Sequence, residues 1–226
     1  MKVTLDLGNS SFSFWKEGFS PDAIPWGTAE TQIPSLFNVN DLILYCSVNR
    51  QFEPLIKHYY PQAKKVGTDL PYPLNIKVSP SVGGDRILAA YGGYLQNRSA
   101  TIVVDCGTAI TLDFVNAQKE FLGGLIFPGP RLLSTILHQE CSLLPYIYPV
   151  NPTERFLGKT TEEAITIGIS QGLCGLVDRV ISGIRKEFQN PEIPVFTTGG
   201  ASEAFLKPLG FPFVPDLIHQ GLRACF

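Results

Sequence analysis

The chain is poor in charge. Asp, Glu, Lys and Arg make up 17% of its 226 residues, below the ~25% of an average globular domain. Hydrophobic residues stand at 44%, so this is not the composition of a disordered segment. A low charge fraction instead implies a surface partly covered, between domains or between subunits. Basic runs are missing and the net charge is −2, which leaves nucleic acid without an electrostatic footprint. No stretch approaches ~18 uncharged apolar residues, so no membrane span is expected. The opening MKVTLDLGNSS carries Asp6 where a signal peptide needs an unbroken apolar core. Cys-x-x-Cys is absent and the five cysteines are odd in number, which opposes a disulfide framework or a zinc ribbon. A reducing cytoplasm is the expected compartment. Histidine is scarce as well: His58, His138 and His219 are widely spaced and suggest neither a metal site nor a Ser-His-Asp arrangement.

What is present is dense β and helix patterning cut by 21 glycines and 18 prolines. The length fits one large domain or two small ones. Val3, Leu5 and Leu7 alternate with polar residues, a Gly-Asn turn follows, and Phe12 and Phe14 resume the alternation, which reads as a hairpin. Strands are expected at 24–28, 41–47 and 63–67, and a helix at 52–59 with Pro54 in its first turn. The proline-rich 71–80 cannot be a central strand and is expected to cross the surface. A helix is expected over 85–97. Ile102, Val103 and Val104 form a continuous apolar run, as in a strand covered on both faces. Strands at 110–115 and 121–127 and a helix at 130–141 follow. Thr160 and Glu163 form a capping box. They open a long helix whose apolar stripe would be Ile165, Ile169, Leu173, Leu176, Val180, Ile184 and Phe188. Gly168, Gly172 and Gly175 lie within it, each costing about 1 kcal/mol against alanine. They imply either a very close neighbour or a break into two helices. The end reads as strand 193–198, helix 201–206, short strand 211–214 and helix 216–223.

Two segments resemble each other. VTLDLGNSSFSF (3–14) and VVDCGTAITLDF (103–114) each place Asp-x-Gly where one strand turns into the next. A glycine there lets backbone N–H groups approach an anion. Asp6 and Asp105 stand 99 positions apart, about one small domain. Two related lobes facing a nucleotide would give this repeat. Ordinary hairpins with Asp and Gly in turn positions would give each copy alone. Thr198-Gly199-Gly200-Ala201, between a strand and a helix, would be a third phosphate or adenosine turn.

DLGNS (6–10), GGDR (83–86), DCGTAIT (105–111), GGLIFPGPRL (123–132), LGKTTEEAI (157–165) and TTGGA (197–201) occur in that order. Together they resemble the type III pantothenate kinases, of the acetate and sugar kinase/Hsp70/actin superfamily. The resemblance implies an α/β chain of two ribonuclease-H-like lobes, an actin-like ATPase fold with mixed sheets flanked by helices. The lobes would span 1–99 and 100–226, with the final helix, 216–226, free to pack on the first. It implies ATP with Mg2+, a monovalent cation (K+ or NH4+), a homodimer, and phosphorylation of pantothenate in coenzyme A biosynthesis. By the same resemblance Asp6, Gly8, Asn9, Ser10 and Thr108 would contact ATP, and Asp105 would coordinate the monovalent cation. Gly83, Gly84, Asp85 and Arg86 would line the pantothenate site with Asp85 as general base, and Thr161 would reach the substrate. Asp85 and Thr161 also suit helix capping, and both roles can hold at once.

Three positions depart from the family pattern. Ser13 stands where a lysine is usual, and the nearest lysine is Lys16. A tyrosine that commonly precedes the GGDR-like motif has no clear equivalent, Tyr72 being the nearest substitute. Gly84 replaces an alanine. Two alternatives therefore stand beside the kinase reading: another small-molecule phosphotransferase on this scaffold, and a nucleotide-binding regulatory accessory protein.

Overall fold

The computed structural model describes residues Met1–Phe226, the side chain of Lys207 excepted. In chain order the strands are β1 (Lys2–Leu7), β2 (Ser11–Lys16), β3 (Asp22–Pro25), β4 (Leu42–Ser47), β5 (Lys64–Lys65), β6 (Asn75–Ile76), β7 (Thr101–Cys106), β8 (Ala109–Val115), β9 (Glu120–Pro128) and β10 (Val195–Thr198). The helices are α1 (Trp26–Leu36), α2 (Glu53–Tyr59), α3 (Gly84–Asn97), α4 (Pro130–Glu140), α5 (Thr161–Glu187), α6 (Ser202–Leu206) and α7 (Leu217–Arg223). Two compact units form. One comprises Met1–Ala100, Phe114–Gly123 and Asp216–Phe226, the other Thr101–Asp113 and Gly124–Pro215.

In the first unit the sheet order is β3-β2-β1-β4-β5. β1 pairs antiparallel with β2 and parallel with β4. Its period of two sorts the side chains. Val3, Leu5 and Leu7 join Phe12, Phe14, Ile43, Tyr45, Ala29, Ile33 and Ile56 in one core. On β4 the alternate residues, Leu44 and Cys46, cluster with Val66, Leu88 of α3 and Leu222 of α7. α3 and α7 approach closely because Gly92 lies against the backbone of Leu217, and Gly221 against the backbone of Leu88; a methyl at either would overlap it.

The second sheet has the order β10-β7-β8-β9-β6. β7 pairs parallel with β10, Thr198 opposite Asp105. Ile102, Val103 and Val104 are all buried, as their unbroken apolar run requires. The segment 71–80 supplies β6 at the edge of this sheet, pairing with Glu120 and Phe121, an edge being where a proline-rich segment can pair.

Three expectations are corrected. The strand expected at 24–28 ends at Pro25, and α1 begins at Trp26. Trp26, Ala29 and Ile33 are buried at helical spacing, but Gly27, Pro34 and the lack of a side-chain cap hid the helix. At 211–214 there is only an isolated bridge, Phe213 with Thr197. α5 runs unbroken for 27 residues, yet its glycines do not meet a close neighbour. A methyl at Gly168, Gly172 or Gly175 would touch nothing within 4 Å. The buried seam is Ile165, Ile169, Leu173, Val177 and Ile181, so the stripe turns away from Leu176, Val180 and Ile184 halfway along, and Phe188 is 41% exposed. By length and composition alone α5 could cross a membrane; it contacts α4 and α6 within its unit.

Candidate active site

The first Asp-x-Gly turn is built by strand register. Asp6 lies opposite Ser13 on β2 and opposite Cys46 on β4. Its Oδ2 accepts from Ser13 Oγ at 3.4 Å and its Oδ1 from Cys46 Sγ at 3.3 Å. Burial, with repulsion from Asp85 second, raises the Asp6 carboxyl to about 7, while the bonds from Cys46 and Ser13 oppose the rise. The Cys46 thiol is pushed well up by burial and by Asp6 and Asp85.

The turn itself is anchored from two sides. Gly8 N–H donates to Ser11 O at 3.1 Å. Gly8 O accepts from Trp26 Nε1 at 2.9 Å and from Asn49 Nδ2 at 3.3 Å. Trp26 in turn stacks on Phe52 with centroids 3.9 Å apart. The unanticipated helix α1 thus holds the turn, leaving Asn9 and Ser10 exposed at its tip.

Asp85 sits in the first turn of α3, two residues past the cap position, so it does not cap the helix as expected. Gly83 is the cap residue and makes no side-chain bond. Asp85 Oδ1 accepts from Arg86 N at 2.8 Å, and burial raises the carboxyl against the opposing pull of Arg86. Oδ1 fills the space where a methyl on Gly83 would stand, and the Tyr72 hydroxyl does the same at Gly84. The Tyr72 ring also fills that space at Gly67, whose φ is +92°. Burial, then Cys46 and Asp85, raises the Tyr72 phenol. The register and α3 therefore bring Asp6, Asp85, Gly83 and Gly84 together, with Cys46, Ser13 and Tyr72 among them.

The second turn, Gly107-Thr108, joins β7 to β8. Gly107 N–H donates to Ala109 O at 2.9 Å, and Gly129 N–H to Thr108 O at 3.0 Å. A methyl at Gly129 would overlap the carbonyls of Gly107 and Thr108. Gly199 has φ +88°, and a methyl there would overlap Asp105 Oδ1 and the Cys106 carbonyl. Only glycine fits both constraints. Three segments of the second unit, 105–108, 129–130 and 198–199, so converge on oxygen atoms. The Cys106 thiol is held up at about 12, by burial first and then Asp105, which keeps it an inert small hydrophobe. Thr161 opens α5 exposed to solvent. The cap is Thr160, whose side chain accepts from Glu163 N at 3.2 Å. The Glu163 carboxylate reaches back to Lys159 N.

Sequence reasoning missed His219. It is 2% exposed, with Nδ1 2.9 Å from Thr4 Oγ1 and Nε2 3.0 Å from Ser13 Oγ. A signal existed. Thr4 shares a face of β1 with Asp6, and a buried hydroxyl needs a partner.

A family model of type III pantothenate kinases matches residues 27–183. The chain belongs to that family. A type III pantothenate kinase of Porphyromonas gingivalis is 34% identical over 193 residues, 81% of this chain and 78% of that one. One from Persephonella marina is 29% identical over 96% and 94% of the two chains. Among solved structures, a Campylobacter jejuni protein placed in the Baf family of transcriptional activators superposes with TM-score 0.73 at 21% identity, covering 99% and 96%. A Clostridium difficile activator of 2-hydroxyisocaproyl-CoA dehydratase with bound ADPNP reaches 0.56 at 12% identity, covering 99% and 92%. These likenesses establish the actin-like fold of two mixed sheets flanked by helices. This pantothenate kinase therefore carries both of its Asp-x-Gly turns on an actin-like scaffold.

Proposed function

We propose that this type III pantothenate kinase, which phosphorylates pantothenate with ATP on the route to coenzyme A, uses Asp85 as the general base. The carrying observation is the half-buried carboxylate in the first turn of α3, its proton affinity raised by burial. A base works best with its pKa near the operating pH. It would take the proton from the terminal hydroxyl of pantothenate as that oxygen attacks the γ-phosphorus of ATP. Arg86, permanently charged, would face the substrate with Gly83 and Gly84, and Thr161 would reach it from α5. Asp6, Gly8, Asn9, Ser10 and Thr108 would contact ATP.

Mg2+ enters with ATP as part of the substrate and offsets its phosphate charge. The donors of the second turn suit a hard monovalent cation because they are oxygens, Asp105 Oδ1 and the Cys106 carbonyl both packing against Gly199. Asp105 would hold it, with the neighbouring carbonyls, and it would add positive charge near the phosphates.

The homodimer reading is supported by the open glycine stripe of α5 and by Leu143, Phe156 and Leu157, which are 92%, 79% and 83% exposed. The same cover would account for the low charge fraction.

The test is product analysis. With MgATP, potassium and pantothenate, mass spectrometry should find 4′-phosphopantothenate, and replacing potassium by a large organic cation should suppress it. Nucleotide binding without that product would overturn the reading. Light scattering should give a dimer, and Gly172→Glu a monomer; a monomeric wild-type chain would refute the dimer.

A further inference from the structure

A hydrogen-bond chain runs from the C-terminal helix to Asp6. Thr4 Oγ1, His219 Nδ1, His219 Nε2, Ser13 Oγ and Asp6 Oδ2 follow one another at 2.9, 3.0 and 3.4 Å across its three gaps. Thr4 is fully buried and His219 nearly so.

The donors and acceptors balance in one way when Asp6 is ionised. A carboxylate only accepts, so the Ser13 hydroxyl donates to Oδ2. Ser13 must then accept from His219 Nε2–H. The bare Nδ1 accepts from the Thr4 hydroxyl. Three protons serve three bonds with a neutral ring, and burial keeps the ring neutral by lowering it to about 4. With Asp6 protonated, every bond can reverse and the ring takes its other tautomer. The chain therefore holds the carboxylate in either state. α7 is fixed for this by its close approach to α3 at Gly92 and Gly221, and by Arg223 Nη2, 2.7 Å from Asp216 Oδ2.

We propose that His219, acting through Ser13, is a positioning residue that fixes the Asp6 carboxylate for ATP. This rests on the reading of Asp6 as an ATP contact. A purely structural histidine would make the same bonds for its own satisfaction, so the test needs readouts that a structural role would not move.

Steady-state kinetics come first. Ser13→Ala and His219→Gln should each raise the KM for ATP about tenfold, the loss expected of a hydrogen bond to a charged group, with the KM for pantothenate unchanged. Ser13→Thr, which keeps the hydroxyl, should restore it. The double variant should be no worse than either single one, since one chain is broken in all three. An ATP KM equal to wild type in both single variants, with only Tm lowered, would overturn the proposal. Imidazole 15N spectra of the wild-type enzyme provide a second measurement, immune to misfolded variants, and three histidines make assignment simple. His219 should be the Nε2–H tautomer at alkaline pH; the Nδ1–H tautomer there would overturn the chain. Asp6→Asn separates the two ideas. If it leaves the ATP KM unchanged while the tautomer is as stated, the ATP role of Asp6 fails, and the positioning role falls with it although the chain stands.

Discussion

The two Asp-x-Gly turns occupy equivalent strands and are supported by different chemistry. Each aspartate lies on the first strand of its repeat, in the orders β3-β2-β1-β4 and β9-β8-β7-β10. Each faces a parallel neighbour, Cys46 for Asp6 and Thr198 for Asp105. There the likeness ends. Asp6 is held by side chains, Ser13 and Cys46, within the field of Asp85. Asp105 Oδ1 lies where a methyl on Gly199 would stand. Exchanging Ser13 or Cys46 would retune Asp6, whereas the position of Asp105 requires a glycine at 199 that cannot change.

The largest expected effect tests the tuned turn. Asp6 has a folded-state value of about 7, above the ~3.9 of an unfolded aspartate. Between those values the folded chain binds more protons, so Asp6 lowers stability as pH rises from about 4 to about 7. Asp6→Asn should be more stable than wild type at pH 8, by at most about 4 kcal/mol, and the gain should vanish near pH 4. Urea titrations across that range measure it. His219 has the opposite sign. Its folded value is lowered to about 4, so the unfolded chain binds more protons between about 4 and 6.5 and stability rises there. The two slopes oppose each other in wild type, and His219→Gln should steepen the decline to which the raised Asp6 and Asp85 carboxyls contribute.

Next in size is the rigid turn. Gly199→Ala forces an L-residue to φ +88° and onto Asp105, and should cost about 2 kcal/mol or more, lowering Tm. The corresponding change in the tuned turn is the smallest effect. At Gly8 a methyl would meet Ser11 O at 3.2 Å, and φ there is not positive, so Gly8→Ala should cost under about 1 kcal/mol. Equal losses at the two glycines would break the contrast.

The sequence made much of this visible where one local rule decided the outcome. Alternation in 3–7 and 12–14, the apolar run at 102–104 and the Thr160–Glu163 cap each became the element they signalled. The turns were visible as Asp-x-Gly because glycine and strand ends mark themselves. Helix α1 was hidden because Pro34 and Gly27 interrupt its pattern, and burial of Trp26, Ala29 and Ile33 outweighs propensity. The turned seam of α5 depends on which neighbours it meets, and no local pattern carries that. At the site, the motifs named Asp6 and Asp85 but not their partners. Cys46 reaches Asp6 through parallel pairing of strands 40 residues apart, and His219 reaches Ser13 from 206 residues away. Such partners follow from register and helix packing, which are properties of the folded chain.

The most direct test of the central claim is the turnover number of Asp85→Asn with pantothenate and MgATP, measured beside wild type on protein of unchanged Tm. The account predicts a fall in kcat of about 100-fold or more, with ATP still bound. Turnover equal to wild type would show that Asp85 does not take the proton.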